Sequence, residues 1–294
     1  MSHHAVVAAH RDAGRMFRAG GLQTFVRDHG EGEPVLCIHG VPASSFIYRR
    51  VLAGLADRGH RALAFDLPGL GLSERPRSFD YSWSGLGRFC VEAVDALELS
   101  RFHLVVHDIG GPVGFELASH VGARIASLTL LNTIVEVDTF ERPWSMQPFA
   151  IPVVRRAWLA ALQPPVFRRM MRLQGVGDAI SVSDDVLDAY LHLLKRDDGG
   201  RAFLQIMRGF ERTPAKRRQY LDAIIDLRPR VQVIWGRHDP ALPVDPFGEA
   251  ARRAAGVSEV QLLPGKHFFM EEQAPQIAQR VVDHIRRVRR READ

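Results

Sequence analysis

The chain has 294 residues, 46% of them hydrophobic and 25% charged, with a formal net charge of +5. That is enough to bury a substantial core in one large domain, or in one domain carrying an insertion. No apolar run approaches the roughly 20 residues that cross a bilayer, two cysteines are too few for a disulfide scaffold, and the N-terminus lacks the basic start and long apolar run of a secretory signal. A cytoplasmic location is expected, with no membrane partner.

In chain order, residues 22–27 and 34–39 read as strands around the polar turn 29–33, a spacing that suits an antiparallel pair. Cys37, inside the second strand, reads as a buried apolar residue. A helix follows over 45–58, a strand over 61–66, a helix over 84–97, a strand over 102–107, a helix over 112–121 and a strand over 124–132. Pro112 is tolerated in a first helical turn, where its missing N–H would be unpaired anyway. Such alternation implies a mostly parallel sheet covered on both faces, and ligands of such sheets bind outside the carboxyl ends of the strands.

The alternation breaks between about 137 and 222. Pro143, Pro148, Pro152, Pro164 and Pro165 punctuate short helical runs such as 186–196 and 201–208, with no convincing strand. The reading is an α/β core formed by residues 1–136 and 223–294, with residues 137–222 inserted as a helical cap over the strand ends, where a lid excludes water and shapes a pocket. Beyond it, an apolar strand from Val231 runs into a polar turn carrying Asp239, and another from Val260 runs into a loop carrying His267. At the C-terminus six arginines fall between Arg280 and Arg291, while Val281, Val282, Ile285 and Val288 form an apolar stripe at helical spacing. That pattern describes a solvated helix face rather than a nucleic-acid patch, since no aromatic residues interleave for base stacking.

The chemistry centres on Asp108. It ends the apolar run 102–106 in Val106-His107-Asp108-Ile109-Gly110-Gly111, the layout of a strand turning sharply into a helix with one side chain exposed at the turn. The bland reading is a helix-capping Asp. The functional one is a carboxylate nucleophile, ionised at pH 7 without help from a base. The order Asp108, Asp239, His267 is nucleophile, acid, base, each at a strand end.

These segments resemble the α/β-hydrolase superfamily, and within it the branch of haloalkane dehalogenases and epoxide hydrolases. His39-Gly40-Val41-Pro42 is similar to the branch's HGxP segment, 66–73 to its glycine-containing turn after a core strand, and His107-Asp108-Ile109-Gly110-Gly111 to its nucleophile elbow. The resemblance implies the α/β-hydrolase fold and a covalent mechanism. Asp108 attacks carbon and becomes an ester, His267 deprotonates the water that hydrolyses it, and Asp239 orients His267. The backbone N–H groups of Val41 and Ile109 would meet the oxyanion. Glu136 and Asp245 stay open as alternative acids. No cofactor is required, and His3, His4 and His10 have neither the spacing nor the setting of a catalytic metal site.

The sequence departs from both subfamilies at the substrate. Ile109 stands where a dehalogenase carries a halide-binding Trp, and an isoleucine offers a halide no donor. Trp144 or Trp158 in the cap could supply an indole N–H. Epoxide opening needs proton donors, usually two cap tyrosines, but Tyr190 is the clear cap tyrosine and Met207 occupies the place of a second donor. The expected substrate is a small apolar molecule, an epoxide or an alkyl halide, with the epoxide preferred because it does not need the missing halide donor. Ester or lactone hydrolysis is the alternative reaction, and a binding protein on a retired hydrolase scaffold the alternative of another class.

Overall fold

A computed structural model describes residues 2–177 and 181–294. Its centre is an eight-stranded sheet in the order β1-β2-β4-β3-β5-β6-β7-β8, and the strands are β1 (Arg15–Ala19), β2 (Leu22–His29), β3 (Glu33–Ile38), β4 (His60–Phe65), β5 (Phe102–Asp108), β6 (Ile125–Thr133), β7 (Val231–Gly236) and β8 (Gln261–Leu263). β1 and β2 pair antiparallel, β2 pairs antiparallel with β4, and every pair from β4 onward is parallel. The central strands are buried along nearly their whole length because both faces are covered. All nine residues of β6 are buried.

Helices α1 (His3–Asp12), α2 (Arg49–Ala56), α3 (Trp83–Ala96) and α4 (Gly110–Val121) precede β6 or lead into it. α5 (Gln147–Ala150), α6 (Arg155–Ala161), α7 (Pro164–Met170), α8 (Asp184–Lys195), α9 (Arg201–Arg208) and α10 (Pro214–Asp226) fill the stretch between β6 and β7, which contains no strand among the described residues. α11 (Glu249–Ala255) and α12 (Met270–Ala293) complete the chain. Along α12, Val281, Val282, Ile285 and Val288 are buried while Arg286, Arg287, Arg289, Arg290 and Arg291 are exposed, so that helix presents its arginines to solvent. Among the described residues, no helix is long and apolar enough to cross a membrane.

The expected hairpin of β2 with β3 does not form. β4 lies between them, with Val26 opposite Phe65 on one side and Val35 opposite Ala62 on the other. The reason is burial: Val35, Leu36, Cys37 and Ile38 are enclosed on both faces, which requires parallel neighbours on either side rather than a position next to an edge hairpin. The partner of β2 in that sense is β1, an N-terminal strand whose polar residues gave it little signal.

Arginines fasten the helices between β6 and β7 to the core. Arg75 donates to the carbonyls of Gly69 (2.8 Å) and Gly71 (3.0 Å) below and to those of Leu193 (2.6 Å) and Leu194 (3.0 Å) at the end of α8 above. It also sits 3.3 Å from Asp198, both side chains being less than a tenth exposed. Arg196 reaches back to the carbonyls of Gly71 and Ser73. A second tie is backbone to backbone: the N–H of His267 donates to Gln174 O (3.3 Å) and that of Phe268 to Gly175 O (2.7 Å).

Candidate active site

Asp108 is the last residue of β5, held at φ +54 where the strand turns into α4. A non-glycine residue rarely takes this left-handed conformation, and here the surroundings enforce it. The Thr133 hydroxyl donates to the Asp108 carbonyl at 2.6 Å. The turn is also packed so closely that a Cβ on Gly110 would lie 2.4 Å from the Ile38 carbonyl oxygen, and one on Gly40 would lie 2.1 Å from Asp108 Oδ1. Glycine at both places is therefore a steric requirement of presenting this one side chain.

The two carboxylate oxygens of Asp108 have different surroundings. Oδ1 accepts the backbone N–H of Val41 at 2.8 Å, while Oδ2 lies 3.4 Å from His267 Nε2. The other ring nitrogen of His267, Nδ1, is 2.7 Å from Asp239 Oδ2. Asp239 is buried at the turn after β7, and its Oδ1 accepts the backbone N–H groups of Ala241 (2.7 Å) and Leu242 (3.0 Å). Burial opposes a charge on His267, but the field of Asp239, reinforced by the hydrogen bond and charge of Asp108, outweighs it and pushes the imidazole up to about 10. The protonated His267 thus turns one ring N–H toward each of the two carboxylates.

Neighbouring histidines are structural. His39 Nε2 accepts the Leu67 N–H at 3.0 Å, bracing the loop that carries Val41. His107 Nε2 donates to the His267 carbonyl at 2.9 Å, and burial followed by the nearness of His267 keeps its pKa well below the ordinary value. His238 is exposed beside Asp239. Glu136 lies apart from His267 and pairs with Arg217 at 3.3 Å, and Asp245 is exposed. Of the three acids weighed from sequence, Asp239 is the one in contact with His267.

Asp108, Ile109, Val41 and His267 line a cavity closed by Ile134, Phe140, Met146, Met170, Met171, Met207, Phe210, Leu242 and Phe268, in which the centre of a water molecule can reach about 60 Å³. Besides Asp108 and His267, its polar lining is Arg142, Ser145 and Gln174. The three residues considered as cap donors lie elsewhere. Trp144 is 64% exposed. Trp158 lies on α6 with its Nε1 buried and without a hydrogen-bond partner, outside the cavity lining. The Tyr190 hydroxyl donates to Glu271 at 2.5 Å, its ring packed on Phe46 and Phe268. α8 points Tyr190 into the core and His192, two residues on, toward the surface.

Several residues of the site gave no signal in sequence. Asn132, inside the apolar run of β6, donates from Nδ2 to Asp239 Oδ2 at 2.5 Å and accepts the Gly236 N–H at 2.8 Å, so one amide ties the acid to the strand beneath it. Ser145 donates to Gln174 Oε1 at 2.5 Å, which leaves the Gln174 amide nitrogen as a donor within the cavity. The N-terminal histidines also have a setting that only the fold creates: His3 and His4 meet His192 of α8, with one ring nitrogen of each within 4.8 Å of the others.

Comparison with known proteins agrees with this architecture. The family described as alpha/beta hydrolase fold matches residues 33–171. Haloalkane dehalogenase 2 of Mycobacterium tuberculosis is 28% identical over 270 residues, covering 88% of this chain and 90% of that one. A haloalkane dehalogenase structure from Bradyrhizobium elkani superposes with a TM-score of 0.78 at 21% identity, over 94% of this chain and 98% of that one. An epoxide hydrolase structure from Vigna radiata does so with a TM-score of 0.74 at 22% identity, over 93% and 97%. The chain has the α/β-hydrolase fold.

Proposed function

We propose that this chain, an α/β-fold hydrolase of the haloalkane dehalogenase and epoxide hydrolase type, cleaves a small carbon electrophile through an ester on Asp108. The observation that carries the reading is the split environment of the Asp108 carboxylate. Oδ2, beside His267 and free of the Val41 N–H that holds Oδ1, is the attacking atom. Its electron pair forms the C–O bond as the C–halogen bond breaks and the halide departs with that bonding pair. Oδ1 then becomes the ester carbonyl oxygen. Because it already accepts the Val41 N–H, it is in place to become the oxyanion when water attacks the carbonyl carbon; Ile109 N–H is the expected second donor. Removing one such donor typically costs about 10²–10³ in rate.

The same charges time the base. With Asp108 ionised, His267 is held protonated and cannot accept a proton. Ester formation neutralises Asp108 and removes one of the two carboxylates that raise His267. The imidazole, still oriented by Asp239, loses its proton more readily and can take one from the hydrolytic water. Water adds to the Asp108 carbonyl carbon, the bond from that carbon to Oδ2 breaks, and Oδ2 departs in the alcohol, taking the proton that His267 had accepted; the restored carboxylate keeps Oδ1 and the oxygen of the water. Residues 137–222 act in this scheme as a cap on a core of residues 1–136 and 223–294, closing the cavity over the strand ends.

The cavity lining reverses the preference for an epoxide. Ring opening needs an acidic donor to the alkoxide, and among the described residues no Tyr lines the cavity. A departing halide needs N–H donors, and the Gln174 amide and the Arg142 guanidinium line the same space. An alkyl halide is therefore the better-supported substrate. The test is intact-protein mass of His267→Gln after exposure to 1-bromopropane and to 1,2-epoxypropane. A stable adduct on Asp108 is expected, a plain propyl group from the bromide, and its mass distinguishes the substrates. A folded variant that gains no adduct from either compound, beside a wild type active on simple esters, would overturn the mechanism.

A further inference from the structure

Arg142 lines the cavity with Asp108, yet it has no acidic partner. Its side chain makes a single hydrogen bond among the described residues, from Nη2 to the Met207 carbonyl at 2.7 Å, and its Nε is buried with no acceptor. The guanidinium lies over the Phe210 ring, 4.6 Å from the centroid, a cation–π contact. The nearest charge that perturbs it is another cation: burial first, and then Arg212, pull its pKa from the ordinary arginine range down to about 10. Arg142 is still charged at neutral pH. The triplet of two carboxylates and one imidazolium keeps a net charge of −1, but among the described residues no carboxylate oxygen lies within ion-pair distance of the Arg142 guanidinium.

A cation in an apolar wall with nitrogen donors unfilled is costly to keep unless something neutralises it. A leaving halide is a weak reason for such a cost. Its charge develops only as the bond breaks, and a neutral amide such as Gln174 suffices for it. A permanent cation matches a negative charge that arrives with the substrate, and the planar guanidinium is matched best by a planar carboxylate. Resting on the Asp108-ester reading above, we infer that Arg142 is the receptor for a substrate carboxylate, so that the preferred substrates are short haloalkanoates rather than neutral haloalkanes. The small volume of the cavity, about 60 Å³ for the centre of a water molecule, restricts the chain joining carboxylate and halogen-bearing carbon to a few atoms.

The test compares kcat/KM for 3-bromopropanoate and 1-bromopropane in wild type, Arg142→Leu and Arg142→Lys. The expected wild-type preference for the carboxylate compound is about 10- to 100-fold, from a charge-assisted hydrogen bond. It should disappear in Arg142→Leu and partly return in Arg142→Lys. A loss of rate with the ratio preserved would mean that Arg142 acts only on the fold or the halide, and would overturn the proposal. Calorimetric titration with propanoate and with bromide, which needs no turnover, supplies the second arm. Propanoate binding that weakens at least tenfold in Arg142→Leu is expected. Bromide binding that depends on Arg142 without propanoate binding, or no binding of either, would also overturn it. If neither bromo compound alkylates Asp108 in His267→Gln, the ester reading fails, while the propanoate titration still decides the role of Arg142.

Discussion

Replacing Asp108 by Asn should lower the pKa of His267 as well as abolish ester formation. The substitution keeps the shape and leaves Oδ1 able to accept the Val41 N–H, but removes one of the two negative charges beside the imidazole. Asp108 Oδ2 is 3.4 Å from Nε2, with its side chain 13% exposed. Two unit charges about 4 Å apart interact by about 4 kcal/mol in the effective dielectric of a protein surface, or about 3 pKa units at 1.36 kcal/mol each. Partial exposure reduces this, so a fall of roughly 1–3 units is expected. The sign also governs stability. In the wild type the folded value, about 10, lies above the ordinary histidine value of about 6.5. The stabilisation it contributes is therefore complete below the unfolded value and is lost as pH rises through the folded one. In Asp108→Asn that loss should be smaller and should be complete at lower pH. Nitrogen-15 spectra of the histidine rings, followed from pH 5 to 11, measure the titration directly. His267 titrating at the same pH in both proteins would refute the coupling, and with it the idea that ester formation releases the base.

Asn132→Ala deletes the amide that donates to Asp239 and accepts from Gly236. It should cost about 1–3 kcal/mol in urea unfolding, since two buried polar groups lose a partner, and should lower kcat more than KM; an unchanged unfolding midpoint would count against it. Arg75→Ala removes the side chain that bridges two core glycine carbonyls and the end of α8. It should destabilise the fold by about 1–3 kcal/mol, because part-buried carbonyls lose their donor while Asp198 keeps Arg201 at 3.5 Å, and should speed amide exchange in α8 ahead of the sheet. Uniform acceleration across sheet and helices would show that Arg75 does not fasten that segment.

What was legible in the sequence follows from how local each signal is. The turn at Asp108 announces itself because a strand, a functional side chain and two glycines are consecutive, and the loops of Asp239 and His267 each follow an apolar run. The position of β4 between β2 and β3 was not legible, because the turn at 29–33 has hairpin chemistry and only burial of β3 on both faces decides against it. Asn132 stands at the end of the strand read over 124–132 with nothing local to mark it, and its task depends on Gly236 and Asp239, about a hundred residues away. Tyr190 reads in sequence either as a cap donor or as a packed helix residue, and the fold decides for packing. A tyrosine on a helix of the right segment is an attractive donor, yet its helix turns it toward Glu271. Arg142 and Gln174 lie where proline-broken helices leave no periodicity to say which side chains face inward.

Four of the chain's seven methionines, Met146, Met170, Met171 and Met207, line the cavity. Thioether side chains are unbranched and polarisable, and settle around different shapes at little cost. A wall made of them sets an upper bound on size without imposing an outline, so selectivity among substrates falls to the few fixed polar groups. The same wall has a chemical weakness: oxidation turns each thioether into a polar, chiral sulfoxide. Mild peroxide would wet the interior of the pocket and blunt its affinity for carbon chains while the sheet beneath, built from valine, leucine and isoleucine, stayed intact.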